Sequence, residues 1–370
     1  MDSAFLKQAE LRFRGWLLRR RWSGSAPLIV PSPTPLVRPA PGSRVLFLRQ
    51  DRIGDVLVSV PTLRVFCSHF PEATVELLLS RNNWEVRRAV QPYVQQCWRY
   101  EKRPYAILRL LHQLRRRTYD IVIDLTDNPS VTSSLLLEYI KAPIRIGISK
   151  GNDAAYTHVV PSADRARTHI VERIARLLFP FGVDPSTEDL QLEYPITEED
   201  RAWAESVLGP CRGAYRMGIC ISASHPSKYW GRDNWSYFLL EIRRRYPEAE
   251  LLLFASPAYA SEQQALSQAT GVHPAPLVPS FHSFAALLER CHVLVTPDTA
   301  TVHLAAAWQR PSVVLYVWDR SELMPWFPYR SPYEAVYTTQ GSLYTLPVED
   351  ALAAVERLLR RIPLPSLVHG

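Results

Sequence analysis

The chain has 370 residues, 47% apolar and 21% charged, and a formal net charge of +7. That length suits two α/β domains better than one, and that balance excludes a disordered or fibrous protein. Five cysteines, Cys67, Cys97, Cys211, Cys220 and Cys291, form no C-x-x-C pair, which argues against a disulfide framework or a zinc site and fits a reducing cytoplasm.

In chain order, residues 1–22 come first, with a net charge of +4. On a helical wheel Phe5, Leu6, Ala9, Phe13, Trp16 and Leu17 share a face, and Lys7, Arg14 and Arg21 recur beside it, the pattern of a basic amphipathic helix at a lipid interface. A helix docked on its own protein is the alternative, since Arg20 intrudes on the apolar face. No apolar run approaches the length of a membrane span, and the apolar core of a signal peptide is missing. The stretch from Pro27 to Pro41 holds six prolines and reads as an extended, semi-rigid connector, with the folded body starting near Ser43.

From there strands and helices alternate. Strands are expected at 44–50, 74–80, 119–125 and 145–148, with a helix from Tyr105 to Arg116 carrying Leu108, Leu111 and Leu114 on its inner side. A second series follows at 216–222, 249–255, 292–296 and 312–317. It opens with a helix whose Thr197 and Asp200 read as a capping box, and a last helix spans 348–361. The alternation predicts two α/β domains with mostly parallel sheets, 43–195 and 196–362, and a loosely held tail at 363–370.

Three clusters carry chemistry. In "LRQDRIGDVLVSVPTLR" the residues Asp51, Arg52, Gly54 and Asp55 follow an apolar strand, where α/β folds bind ligands; the bland alternative for either carboxylate is a helix cap. In "ISASHPSKYWGRDNW" Lys228 follows Ser222, Ser224 and Ser227, offering hydroxyls and a point charge to an oxyanion, while Trp230 and Trp235 read as core anchors. In "VTPDTATVHLAAA" Asp298 and Thr299 precede a helix of small residues starting near Ala300, whose first turn would accept a phosphate, with His303 one turn further on. A capped core helix with a packed histidine is the competing reading. Neither strand-to-helix turn carries G-x-G-x-x-G or a Walker sequence, which sets a dehydrogenase or a P-loop ATPase aside.

Together "DRIGDVLVSVPTLR", "KYWGRDNW" and "PDTATVHLAAA", in this order over about Arg44 to Ile362, resemble the heptosyltransferases of glycosyltransferase family 9. The resemblance implies a GT-B architecture of two facing Rossmann-like domains. It also implies an inverting, metal-independent transfer from ADP-heptose to an acidic lipopolysaccharide core acceptor. Asp55 matches the family's catalytic base. Lys228, Asp298, Thr299 and His303 match residues around the donor diphosphate and sugar, with Ser222, Ser224, Ala300 and Thr301 beside them, and Ser224 stands at a common threonine position. Four departures mark the donor side. Ala300 replaces a glycine, Ala223 a hydroxyl residue and Tyr259 a common glutamate, and "LYVWDRSE" lacks a usual glycine.

The chemistry is consistent with these assignments: a carboxylate can take a proton from an acceptor hydroxyl, and Lys228 with the helix opening at Thr299 can neutralise a departing diphosphate. Asp51 competes with Asp55 as base. No D-x-D sequence occurs, so no metal and no cofactor beyond the nucleotide sugar is expected. Asp51, Arg52, Arg81, Arg87 and Arg88 are candidate acceptor-binding residues, in a domain also made basic by Lys102, Arg103, Arg109, Arg115, Arg116 and Arg117. The expected partners are the donor, an anionic lipid-linked oligosaccharide and, through residues 1–22, an anionic membrane surface. The expected setting is a cytoplasmic monomer, peripheral at the inner face of a bacterial inner membrane. Nucleic acid is not expected, since no aromatic-interleaved basic motif accompanies the arginines. A catalytically degenerate, membrane-associated assembly module is the alternative from outside enzymology.

Overall fold

The computed structural model describes residues 26–364. The amphipathic helix expected over 1–22 and most of the 363–370 tail lie outside the described residues. The chain divides between Leu190 and Gln191 into two compact units.

The first unit is a seven-stranded, all-parallel sheet. Its strands are β1 (Leu28–Ile29), β2 (Arg44–Leu48), β3 (Thr74–Ser80), β4 (Gln96–Tyr100), β5 (Ile121–Asp124), β6 (Ile144–Ile148) and β7 (His158–Val160), in the spatial order β1-β7-β6-β5-β2-β3-β4. Helices cover the sheet, so its central strands are apolar runs without alternation; Val45 to Leu48 are all buried. The helices are α1 (Ile53–Leu57), α2 (Val60–His69), α3 (Pro104–Arg116), α4 (Val131–Ile140) and α5 (Ile170–Ala175). After β2 the chain forms two short helices, α1 and α2, in succession. Pro61 sits in the first turn of α2, where its missing N–H costs nothing.

Two expectations are corrected here. The proline-rich stretch is not a free connector before Ser43. Leu28 and Ile29 pair with His158 and Val159 at the sheet edge, Val30 and Val37 are buried, and Pro35 bridges to Phe181. Gly182 makes this approach possible, because its φ is +78° and a Cβ there would lie 2.9 Å from the Pro35 Cβ. Prolines keep the segment out of the sheet interior, but its valines still dock. In α3 the buried side chains are Leu110 and Leu114, with Leu111 half-buried, while Leu108 faces solvent. Leu108 lies two residues from Leu110, a step that carries it off the buried stripe of the helix.

The second unit is a six-stranded parallel sheet of β8 (Tyr215–Cys220), β9 (Ala249–Phe254), β10 (His273–Pro274), β11 (Val293–Pro297), β12 (Ser312–Val317) and β13 (Tyr333–Thr338). Their order is β10-β9-β8-β11-β12-β13. Its helices are α6 (Glu198–Leu208), α7 (Arg232–Arg245), α8 (Ala260–Thr270), α9 (Phe281–Glu289), α10 (Ala300–Ala307) and α11 (Val348–Arg361). Trp230 and Trp235 are fully buried with ring centroids 4.8 Å apart, and the Trp230 indole N–H donates to the Leu346 carbonyl at 2.9 Å. They are core anchors, as read from the sequence. Both units are Rossmann-like, and the fold is of the GT-B class.

Each sheet reverses its strand order once. In the first unit β2 leads outward through β3 to β4, and β5 leads the other way through β6 to β7. In the second, β8 leads to β9 and β10, while β11 leads to β12 and β13. The loops after β2 and β5, and after β8 and β11, therefore diverge and leave a crevice at the carboxyl edge of each sheet.

Thr197 caps α6. Its hydroxyl accepts the Asp200 N–H at 3.1 Å, and the Asp200 carboxylate accepts the Thr197 N–H at 3.0 Å. Burial pushes the Asp200 carboxyl up, but the Thr197 N–H and hydroxyl together with His282 outweigh it and hold the group at about 2. A carboxyl with a depressed folded value stabilises above its ordinary value and stops doing so as pH falls through the folded one. Asp200→Asn is therefore expected to lower the denaturation midpoint at neutral pH, with the gap to wild type closing between about pH 4 and pH 2; urea melts across that range check it.

Candidate active site

At the first crevice Arg49, the residue after β2, organises the carboxylates. Its side chain is 1% exposed, its Nε donates to the Asp55 carbonyl at 2.8 Å, and its Nη1 donates to the Leu125 carbonyl, beyond β5, at 2.7 Å. The same guanidinium stands 3.4 Å from the carboxylates of both Asp51 and Asp55. The second Asp55 oxygen accepts the Arg52 N–H at 3.0 Å, so Asp55 also serves α1 as the N3 carboxylate of a capping box. Each Asp55 oxygen thus has one partner and a second lone pair left over. Asp51 is the more exposed of the two. Burial pushes its carboxyl up, Arg49 opposes this, and Asp55 adds to it.

The other candidate acceptor residues of this unit gather at the same edge. Arg81 follows β3 directly, and Arg87 and Arg88 lie on a 3₁₀ turn, Trp84–Ala89, that packs against α1. Arg87 lies over the Trp84 ring, 5.2 Å from its centroid. Arg52 is exposed at the start of α1.

Three further groups at this crevice were not singled out in the sequence: Arg49 itself and two buried ion clusters after β5. Asp124 is fully buried and accepts hydrogen bonds from Lys150 Nζ at 3.0 Å, Tyr156 at 2.7 Å and Thr126 at 2.8 Å. Burial pushes its carboxyl up, but Lys150, Tyr156 and Thr126 together bring it below the usual range. Asp127 is flanked by Arg173 at 3.0 Å and Arg165 at 3.1 Å. Carboxylates ending an apolar strand, as in "IVIDLTD", are the signal that could have revealed both, because buried charges in that place need partners.

At the second crevice Lys228, in the loop after β8, pairs with the Asp298 carboxylate in the loop after β11 and donates to the Asp298 carbonyl at 3.2 Å. About a quarter of each side chain is exposed. Thr299 is the N-cap of α10, with its hydroxyl facing the Thr301 N–H at 3.4 Å. The first turn is built of small residues from Ala300 onward. Thr301 is buried, 5% exposed, so its hydroxyl has little access to solvent. His303 is buried one turn on, its ring 5.9 Å from Trp326. Ser222 is committed to the scaffold: its hydroxyl accepts the Ser256 N–H at 2.6 Å, joining the loops after β8 and β9. Ser224 is exposed in the same loop as Lys228. At the departure position Tyr259, the ring lies 5.6 Å from that of Tyr229, and the nearby carboxylate of Glu262 is taken by Arg232 and the Tyr229 hydroxyl.

Two Rossmann-like units, each with polar groups converging on its switch point, are an architecture on which the site residues decide the chemistry. The profile of glycosyltransferase family 9 (heptosyltransferase) matches residues 107–352, and the chain belongs to that family and is a glycosyltransferase. It is 25% identical over 337 residues to lipopolysaccharide heptosyltransferase 3 of Escherichia coli K12, covering 83% of this chain and 95% of that protein. A family 9 glycosyl transferase structure from Veillonella parvula superposes with a TM-score of 0.73 at 21% identity, over 86% of this chain and 98% of that one. The structure of E. coli heptosyltransferase WaaC with ADP-2-deoxy-2-fluoro heptose superposes with a TM-score of 0.63 at 19% identity, over 85% and 99%.

Removing Lys150 would strand a charge that has no solvent access. Lys150→Met is expected to cost about 3–5 kcal/mol of stability and to raise the Asp124 carboxyl. Chemical denaturation against Lys150→Arg, which keeps the charge, measures it.

Proposed function

We propose that the chain moves heptose from ADP-heptose to an acidic sugar of the lipopolysaccharide core, inverting the anomeric centre. The donor assignment draws on the relative named lipopolysaccharide heptosyltransferase 3 and on the WaaC structure with a fluorinated ADP-heptose. The observation that carries it here is the pairing of Lys228 with Asp298 beside the opening of α10. A diphosphate drawn to that helix end meets a lysine held by one partly exposed carboxylate, and the lysine can turn to the leaving oxygen as charge grows there.

Asp55 serves as the base. Arg49 and the Arg52 N–H fix its carboxylate, and its remaining lone pairs can take the acceptor proton. Arg52, Arg81, Arg87 and Arg88 give the same edge of the first unit a positive rim suited to a carboxylate- or phosphate-bearing acceptor. Asp51 is the competing carboxylate for that role, since the same Arg49 guanidinium faces both. No metal or further cofactor takes part in this scheme. The enzyme works as a monomer in the cytoplasm, at the inner face of the membrane that holds its lipid-linked acceptor.

Asp55→Asn is expected to cut transfer by about 10²- to 10⁴-fold while ADP affinity, by titration calorimetry, stays unchanged; undiminished turnover would remove Asp55 from the role of base. Lys228→Ala is expected to weaken donor binding and to lower turnover by about 10²-fold, measured as ADP release with a heptose-bearing acceptor. If the purified wild type neither transfers nor hydrolyses the donor, the assembly-module reading takes over.

A further inference from the structure

We infer that the outer face of α3 and α4 in the first unit is a docking surface for an anionic lipid bilayer. Tyr105 and Leu108, one turn apart on α3, are 78% and 67% exposed, and Leu135 and Tyr139 are exposed one turn apart on α4. The two helices pack against each other, and the Arg115 guanidinium lies 5.5 Å from the Tyr139 ring centroid across them. The inner side of α3 already closes the core through Leu110 and Leu114. Tyr105 and Leu108 therefore add nothing to the fold, and leaving them in water costs free energy.

Charge selects the partner. Residues 102–117 contain Lys102, Arg103, Arg109, Arg115, Arg116 and Arg117 and no Asp or Glu, and Glu138 is the one acid on α4. Other exposed apolar pairs have acids beside them. Trp203 and Val207 lie on α6 with Glu198, Glu199, Asp200 and Glu205, and Tyr237 and Leu240 lie on α7, where Glu241 pairs with Arg244 and Arg245. Apolar and tyrosine side chains rimmed by long basic ones match a headgroup layer: the rings and leucines enter the acyl boundary and the arginines reach the phosphates.

Topology adds direction. Three residues join β4 to α3, so Tyr105 and Leu108 begin at the carboxyl edge of the sheet, the edge that carries Asp55. The Gln50 side chain bonds Ser133 at 2.6 Å and ties the first turn of α4 to the loop after β2. A lipid-linked acceptor would then be met at its own membrane. This deepens the proposed function, but the readout is lipid binding, so its failure is separate from a failure of the transferase assignment.

The test uses the full chain and vesicles of phosphatidylethanolamine with or without phosphatidylglycerol. Wild type is expected to partition onto the phosphatidylglycerol vesicles in a salt-sensitive way. Tyr105→Ser with Leu108→Ser is expected to reduce partitioning about tenfold, and Arg109→Glu with Arg116→Glu at least as much, with circular dichroism and melting temperature unchanged. A benzophenone side chain at position 108 is expected to crosslink to lipid on irradiation. The proposal is overturned if both double variants partition like wild type, or if binding ignores phosphatidylglycerol. It is equally overturned if the crosslink goes instead to residues 1–25 or to a second copy of the chain.

Discussion

The guanidinium of Arg49 is the interaction on which the first unit's site depends. It bonds the carbonyls of Asp55 and Leu125 and faces the carboxylates of Asp51 and Asp55, so one side chain spans the gap between β2 and β5 where the strand order reverses. A buried charge is costly unless hydrogen bonds and opposite charge compensate it, and here both do. The same contacts fix the backbone of α1 and the aim of its carboxylate. Positioning of this kind, set before substrate arrives, is what a base needs to act without reorganisation.

The second unit handles charge differently. Arg49, Lys150 and Arg173 are each almost wholly buried against their carboxylates, whereas Lys228 and Asp298 keep about a quarter of their side chains in solvent. A partly exposed pair is weakly held, worth at most about 1 kcal/mol. A diphosphate, with more charge than one carboxylate, can therefore compete for that lysine. The buried pairs of the first crevice hold their charges still, whereas the Lys228–Asp298 pair of the second can exchange partners. That contrast suits a reaction in which a base must be aimed while a leaving group must be released.

Much of this was legible in the sequence because parallel strands buried on both faces are uninterrupted apolar runs. The runs "RVLFL", "ELLL" and "SVVLYV" lie within one or two residues of their expected places. The edge strands were not legible. "QCWRY" of β4 has no aliphatic run, and Leu28–Ile29 lies among prolines, whose composition points to a connector although the neighbouring Val30 and Val37 find a buried seat. In the site, Asp55, Lys228, Asp298 and Thr299 were visible because polar residues directly after an apolar strand are out of place unless a crevice needs them. The partners were not visible. Lys150 reaches Asp124 across 26 positions and Arg173 reaches Asp127 across 46, and no local spacing carries such a pairing.

The departures on the donor side bear on which nucleotide sugar fits, and the packing around them narrows what they can do. Ala300 puts a methyl where the family commonly has none, at the first turn of a helix whose value to a phosphate is close backbone approach. Thr301 is buried, and Thr299, the N-cap, is the more accessible hydroxyl at the α10 opening. Tyr259 brings a ring where a glutamate would offer a carboxylate, and Glu262 cannot replace it freely. The Arg232 guanidinium and the Tyr229 hydroxyl hold that group below the usual carboxylate range, so recruiting it for a sugar hydroxyl means giving up a charge-assisted bond. The Tyr229 and Tyr259 rings, with centroids 5.6 Å apart, thus offer aromatic faces in this stretch. Lys228, Asp298 and Thr299, which the chain retains, still group at the opening of α10, so the departures leave that charge pairing intact.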